Sequence, residues 1–430
     1  MLSAFTQAFR TPDLRAKLLF TLGIMALFRL GSILPAPGVN LANAKQCIAA
    51  AEDQNLLSLV NVFSGGALLQ LSVFALGIMP YITASIIIQL LRVVIPRFEE
   101  LHKEGQAGTA KLTEYTRYLT IGLGLLQSST IVATASSGRL FPGCTREIIP
   151  GGSVLTMLLM IITMTAGTGL IMWLGELITE RGIGNGMSLL IFTSIVAQFP
   201  SNMFSIAGGN GGAAKFLIVV GVVLVATLAV VYIEQAQRRI PVQYAKRMIG
   251  RRQYGGSTTY IPVKINTAGV IPVIFASSIL AMPQLVSSFA SPTSKWVQWI
   301  MTHLQQTHPI YLTAYGILIL FFAFFYTAIT FDAEEIADNM KRYGGFIPGI
   351  RAGEPTVRYL SYVINRITTA GSIYLVVLAL IPTLAVIGLE LSQHLPFGGT
   401  TILIMVGVGL QTVKEVNSQL QQRHYEGFLS

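Results

Sequence analysis

Residues 54–91 read QNLLSLVNVFSGGALLQLSVFALGIMPYITASIIIQLL, 38 positions without one charged side chain between Asp53 and Arg92. A helix needs about 20 residues to cross a bilayer, so this stretch is too long for one simple span. Its middle carries Phe63-Ser64-Gly65-Gly66, and a glycine pair there frees the backbone to turn. The stretch therefore divides into a short, partly polar helix over Asn55 to Phe63 and a full span over Leu71 to Leu91 with Pro80 inside it. A half-inserted helix in front of a spanning one survives only where protein or a water-filled cavity surrounds it, because lipid leaves the helix-end N–H and C=O groups unpaired. The stretch implies a cavity.

Composition sets the class. The 430 residues are 52% hydrophobic and only 11% charged, with a mean hydropathy of +0.63, which describes an integral membrane protein. Arg10, Arg15 and Lys17 ahead of an apolar run imitate a signal peptide. Leu18 to Leu34, however, leads into Pro35-Ala36-Pro37-Gly38 rather than a small-residue cleavage site, so the segment is expected to be retained. Further uncharged runs follow Leu18 to Leu34 and Leu71 to Leu91: Tyr118 to Ser136, Val154 to Leu174, Ile183 to Phe199, Phe216 to Ile233, Ile265 to Val286, Ile310 to Phe331, Ile367 to Leu389 and Thr400 to Val413. They make ten spans. With the N-terminus inside, the cytoplasmic segments hold 23 of the 29 Lys and Arg, which fixes the orientation. Two cysteines exclude a disulfide framework and Cys/His metal clusters. Cys47 and Cys144 both fall outside, where they either pair or remain two exposed thiols.

Two loops hold more basic charge than orientation requires. Residues 234–264 carry Arg238, Arg239, Lys246, Arg247, Arg251 and Arg252; residues 332–366 are acidic first, then basic, with Arg351 in a Gly-rich tip. One reading is an anchor on anionic lipid, worth about 1 kcal/mol per basic residue. The other is a docking face for a large anionic partner such as RNA or an acidic protein. Ten spans divide into five and five, so repeated halves would have to be inverted, with a pathway between them. Gly77-Ile78-Met79-Pro80 in span two and Gly269-Val270-Ile271-Pro272 in span seven occupy matching positions, as interrupted helices near such a pathway do.

Six motifs then carry a resemblance over essentially the whole chain. They are Phe63-Ser64-Gly65-Gly66-Ala67, Phe74 to Ile82, Met172-Trp173-Leu174-Gly175-Glu176, Thr179 to Gly186, Ala268 to Pro272 and Pro348-Gly349-Ile350-Arg351. In this order and these spans they resemble the SecY family, the central subunits of bacterial protein-conducting channels. The resemblance implies an all-α fold of ten transmembrane helices in two inverted five-helix halves, 1–200 and 201–430, with a re-entrant plug at about 55–66. It implies a channel that passes unfolded polypeptides and releases apolar segments into membrane lipid between spans two and seven. Its pore ring would be Ile78, Ile82, Ile191, Ile274 and Ile404, and its plug Asn55, Leu56, Leu57, Ser58, Leu59, Val60, Asn61, Val62 and Phe63. Only the spacing of Ile78 and Ile82, one helical turn apart, follows from the residues themselves. Branched aliphatic side chains at a narrow waist dewet and block ions, with no hydrogen bonds to break when a polypeptide enters. Gln89, Gln127 and Asn266 are expected to bond across the lateral gate, at about 0.6 kcal/mol on average and up to about 2 kcal/mol each. The alternative is that these amides merely glue the bundle or face the headgroups. The resemblance also implies SecE and SecG subunits, the SecA motor and the ribosome as partners, and a bacterial plasma membrane location.

No chemistry is offered for an enzyme. The five histidines fall in loops or tails, no carboxylate pair lies at midmembrane depth, no phosphate-binding glycine loop occurs, and no cofactor is expected. The rival class is a secondary transporter for a small solute, which also predicts inverted halves and broken helices but needs an ionisable group at midmembrane. Only Arg29 qualifies, and it is expected to snorkel outward or pair structurally. A third class, a scaffold that holds ribosomes at the membrane, explains the loops but not the interrupted spans.

Overall fold

The computed structural model describes residues 9–50, 64–138, 148–149, 153–208, 212–244, 247–249, 252–254, 258–289, 294–305, 308–388 and 399–426. The described helices are α1 (Pro12–Ile33), α2 (Leu41–Ala50), α3 (Met79–Val94), α4 (Pro96–Lys103), α5 (Gln106–Ser136), α6 (Val154–Arg181), α7 (Gly186–Gly208) and α8 (Gly212–Gln235). After a strand-bearing excursion come α9 (Ile271–Phe289), α10 (Lys295–His303), α11 (Pro309–Thr330), α12 (Ala333–Arg342), α13 (Glu354–Gly388) and α14 (Gly399–Glu426). Each of the ten apolar runs overlaps one of these helices, though Leu71 to Leu91, Ile183 to Phe199 and Ile265 to Val286 begin ahead of theirs. Among the described residues six helices are long and apolar enough to cross a membrane alone, or seven if α3 and α4, bent by 100°, form one broken span. Gly186–Pro200 of α7 and Ile271–Pro283 of α9 are shorter apolar helices. The fold is that of an all-α integral membrane protein.

The full span expected over Leu71 to Leu91 does not form as such. Residues 64–78 wind as successive turns, and helix begins only at Met79, which places Pro80 in the first turn rather than inside the span. A proline is tolerated there because its missing N–H would have had no helical partner. The backbone is held off helix by left-handed residues at Leu71 (φ 46°) and Gly77 (φ 55°). For a leucine that conformation costs about 1–2 kcal/mol. It is offset by full burial of the side chain and by the Leu71 carbonyl accepting from Ala36 N–H at 2.9 Å. Helix α9 starts in the same way, with Gly269 at φ 64° two residues before Ile271-Pro272.

Among the described residues three large buried clusters order the molecule, beside a small one of Leu14, Ile183 and Val416. The largest unites α1, α3, α6, α7, α8, α9, α11, α13 and α14. A second packs α2 and the turns after residue 64 against α5 and α6, and contains Cys47, fully buried and disulfide-bonded. The only other cysteine in the sequence, Cys144, lies outside the described residues.

The third cluster belongs to the excursion between α8 and α9, which the sequence presents as a basic run and which folds as sheet. β1 (Gln237–Tyr244) pairs antiparallel with β4 (Thr258–Lys264) from Gln237↔Lys264 to Gln243↔Thr258, while β2 (Arg247–Ile249) pairs with β3 (Arg252–Tyr254). β5 (Gly345–Phe346), from the loop between α12 and α13, adds to the free edge of β1. Ile240, Val242 and Val263 alternate inward onto Met340, Ile347, Leu360, Val363 and Ile364, while Arg238 and Arg239 stay exposed. The acid-then-base order of residues 332–342 is explained by α12 itself. Asp332 caps it, accepting from the Glu334 and Glu335 N–H groups, and Lys341 and Arg342 sit in its last turn, as the helix dipole favours.

Candidate functional site

The five isoleucines expected at the pore ring come from four parts of the fold and share one buried cluster. α3 supplies Ile82, with Ile78 at its N-cap; α7 supplies Ile191, α9 Ile274 and α14 Ile404. All five are buried, between 0 and 8% exposed, and belong to one cluster. Met187 packs half-buried against the same cluster, its sulfur close to Gly175. Five branched aliphatic ends offer no donor or acceptor, so water at this level would lose hydrogen bonds without replacement.

α9 meets α3 and α5 along a seam much thinner than the packing of α5 on α6 or α9 on α11. A small cleft in this seam is lined by Leu76, Met79 and Thr83 on one side, Gln127 and Ile131 of α5 on another, and Ser278, Ala281 and Met282 of α9. Gln127 thus lies between the helices expected to part. Sequence reasoning missed Thr83 and Ser278, which nothing sets apart from the other hydroxyls of their helices, such as Ser85 and Ser277. Both return their hydroxyl to a carbonyl one turn back, Met79 and Ile274 respectively, and so leave the seam without a cross-helix bond of their own.

The other two amides act differently from expectation. Gln89 donates to Ser85 of its own helix at 3.4 Å rather than across the seam. Asn266 precedes α9, and its amide nitrogen donates to the Glu234 carboxylate and, at 3.0 Å, to the Gly269 carbonyl. Both amides found partners closer in sequence than the opposite gate helix.

Of the expected docking residues, Arg238 and Arg239 project from β1 and Arg351 is exposed on the tip between Gly349 (φ 83°) and Gly353 (φ 102°). Thr356 of α13 donates its hydroxyl to the Arg351 carbonyl at 2.8 Å, which fixes that backbone. Arg247 and Arg252 fall within β2 and β3. Lys246 and Arg251 lie outside the described residues, as do the plug residues Asn55 to Phe63.

A family model described as SecY matches residues 72–413. This chain belongs to the SecY family. Curated relatives described as protein translocase subunit SecY agree with it from end to end: 62% identity with that of Streptomyces galbus and 56% with that of Mycobacterium bovis, each covering all of both chains. Among solved structures, one described as a protein conducting channel has a TM-score of 0.62 at 21% identity, covering 94% of this chain and 91% of that one. Another, Sec61 in a canine ribosome–channel complex from the endoplasmic reticulum, has a TM-score of 0.61 at 19% identity with the same coverage. At those identities the two structures establish the fold.

In this SecY-family chain Arg29, the one charge within the apolar run of α1 and near that helix's C-terminal end, is half-buried and donates from Nη1 to the Gly65 carbonyl at 2.7 Å. Gly65 stands two residues past Phe63, where the expected plug ends. A hydrogen bond to a charged group contributes about 1.5–3 kcal/mol. Arg29→Met is therefore expected to free this turn and raise resting ion conductance in planar bilayers by about tenfold. An unchanged leak, with normal amounts of protein in the membrane, would show that the bond has no part in closure.

Proposed function

We propose that this chain is the channel subunit through which unfolded secretory polypeptides cross the membrane, and from which apolar segments leave sideways between α3 and α9. The observation that supports this reading is the thin α3–α9 seam, with Ile78, Ile82, Ile191, Ile274 and Ile404 buried in the one cluster that also contains both helices. A polypeptide forced through such a waist displaces only dispersion contacts, and a sufficiently apolar segment gains by moving from the seam into lipid. Segment 55–66 would close the funnel at rest, and Gln127, facing the cleft, would add a polar contact that a signal helix can displace. The matching starts of α3 and α9 support two inverted halves, 1–200 and 201–430, each contributing its second span to the seam.

The sheet β4-β1-β5 with Arg238, Arg239 and Arg351 would receive the ribosome during synthesis and the SecA motor afterwards. Phosphate-rich RNA suits exposed arginines, and the structural neighbours include a ribosome–channel complex. SecE and SecG would complete the assembly in the bacterial plasma membrane, with the N-terminus and the sheet on the cytoplasmic side. Transport energy would come from the partners. Arg29, the group a solute transporter would need for coupling, is instead bonded to a backbone carbonyl.

Vesicles carrying the complete complex are expected to shield a signal-bearing unfolded precursor from added protease when SecA and ATP are supplied. A precursor that stays fully digestible, in vesicles that take up a small solute, would overturn the reading.

A further inference from the structure

The neck between α8 and α9 is where the sheet-bearing excursion leaves and rejoins the bundle. The β1–β4 ladder does not end at its last strand pair, Gln237↔Lys264, because the Ile265 N–H goes on to donate to the Ala236 carbonyl at 3.1 Å. One residue further, Asn266, only 4% exposed, ties the Glu234 carboxylate at the end of α8 to the Gly269 carbonyl. Gly269 holds the left-handed turn from which α9 starts. A single side chain thus joins the foot of the sheet to the first turn of a gate helix. The neck is held from other sides as well. The Thr267 and Thr327 hydroxyls meet at 3.3 Å across to α11, and a Cβ on Gly371 of α13 would lie 2.5 Å from the Ile265 carbonyl, so α13 blocks movement toward it.

We propose that Glu234 and Asn266 are positioning residues that transmit a load on the β1–β4 hairpin to α9, and so to the α3–α9 seam; this rests on the docking reading above. Two elements joined by a free linker decouple, since any rotation is absorbed in soft φ and ψ angles. A buried, charge-assisted hydrogen bond is roughly twice as strong as a neutral one and removes that slack. Lys264 of β4 and Lys414 of α14 lie close enough to act on the same carboxylate. Rotation of the hairpin then turns Gly269 and the start of α9. Ile274 of the waist and Ser278 of the cleft follow within the next two to three helical turns, at about 3.6 residues each.

The test uses the complete complex in vesicles, empty bacterial ribosomes as the probe, and oxidative crosslinking between Thr83→Cys and Ser278→Cys, which line the same cleft, as the gate reporter. In the parent, ribosomes are expected to change the crosslinking rate about tenfold, an ordinary size for coupling between sites. Asn266→Asp sets two carboxylates against each other; it is expected to bind ribosomes with parental affinity and to lose the change in rate. Glu234→Gln, which keeps an acceptor for the Asn266 amide, is expected to retain it. Glu234→Ala, which leaves Asn266 on Gly269, is expected to lose it, and decides the matter if Asn266→Asp does not accumulate in the membrane. A purely structural role would lower membrane levels or shift the crosslinking rate without ribosomes, and either result in place of the lost response counts against the proposal. A parental response in Glu234→Ala overturns it. Ribosome binding that survives Arg238→Glu with Arg239→Glu would overturn the docking reading itself, visibly and without either neck variant, and the link would fall with it.

Discussion

Arg351→Glu is expected to reduce SecA-driven export by about 100-fold, the effect of losing one interface hot spot worth close to 3 kcal/mol. Arg351 is exposed, but its backbone is not free. Gly349 and Gly353 bend the tip on either side, Thr356 grips the Arg351 carbonyl, and α13 begins at Glu354. A guanidinium held forward on such a tip presents two parallel donors to a carboxylate or phosphate, and glutamate in its place presents repulsion. Arg238 and Arg239 are different, since each is one member of a wider basic field in which a single lost charge is buffered by its neighbours. Single reversals there are expected to weaken partner binding only a few-fold, and more so at low salt. The measurement is precursor protection in vesicles, with membrane levels of the variant as control. Normal export by Arg351→Glu at normal levels would remove the tip from the docking face.

The second large effect is expected at the waist. Replacing Ile82 and Ile274 together by glycine should raise resting ion conductance more than deleting residues 55–63. If each side chain contributes about 1.4 kcal/mol to the dewetting barrier, the pair accounts for about a 100-fold leak. Both isoleucines are buried in the central cluster, at 8 and 7% exposure, so the substitution opens space inside it. The cost in folding is real, at about 1 kcal/mol of helix propensity per glycine before any cavity penalty. Ile82→Ala with Ile274→Ala therefore serves as the milder companion. Conductance recorded in planar bilayers ranks the two seals, and a deletion of 55–63 that leaks more than the double glycine variant would make the plug the principal one.

Much of this architecture is legible in the residues, because burial in lipid is a composition rule. Uncharged runs such as Val154 to Leu174 and Ile310 to Phe331 have no alternative to helix, and α6 and α11 sit on them. The interruptions at Gly77 and Gly269 are legible for the same reason, since glycine followed by proline is costly in the middle of a helix and cheap at its start. The sheet was hidden. Ile240, Val242, Ile261 and Val263 alternate as strand residues should, but the positive charge around them dominates any reading of the segment. Partner choice was hidden too. Nothing local distinguishes an amide that lines the seam, such as Gln127, from one that turns to Ser85 or Glu234, because the decision depends on which group the fold brings within hydrogen-bond reach. Glu234 itself reads as one more loop carboxylate at the end of an apolar run, and only the closed neck gives it a partner.

The short ladder between β1 and β5 has a kinetic meaning. Gln243↔Phe346 and Tyr244↔Gly345 bind together two segments about 100 residues apart in sequence, over a common apolar core. The entropy of ordering the strands of that face is surrendered when the chain folds, not when a partner arrives. If this face is the docking surface proposed above, a large anionic partner meets strands already set, and the rate of its capture is expected to follow long-range attraction and ionic strength rather than the ordering of those strands.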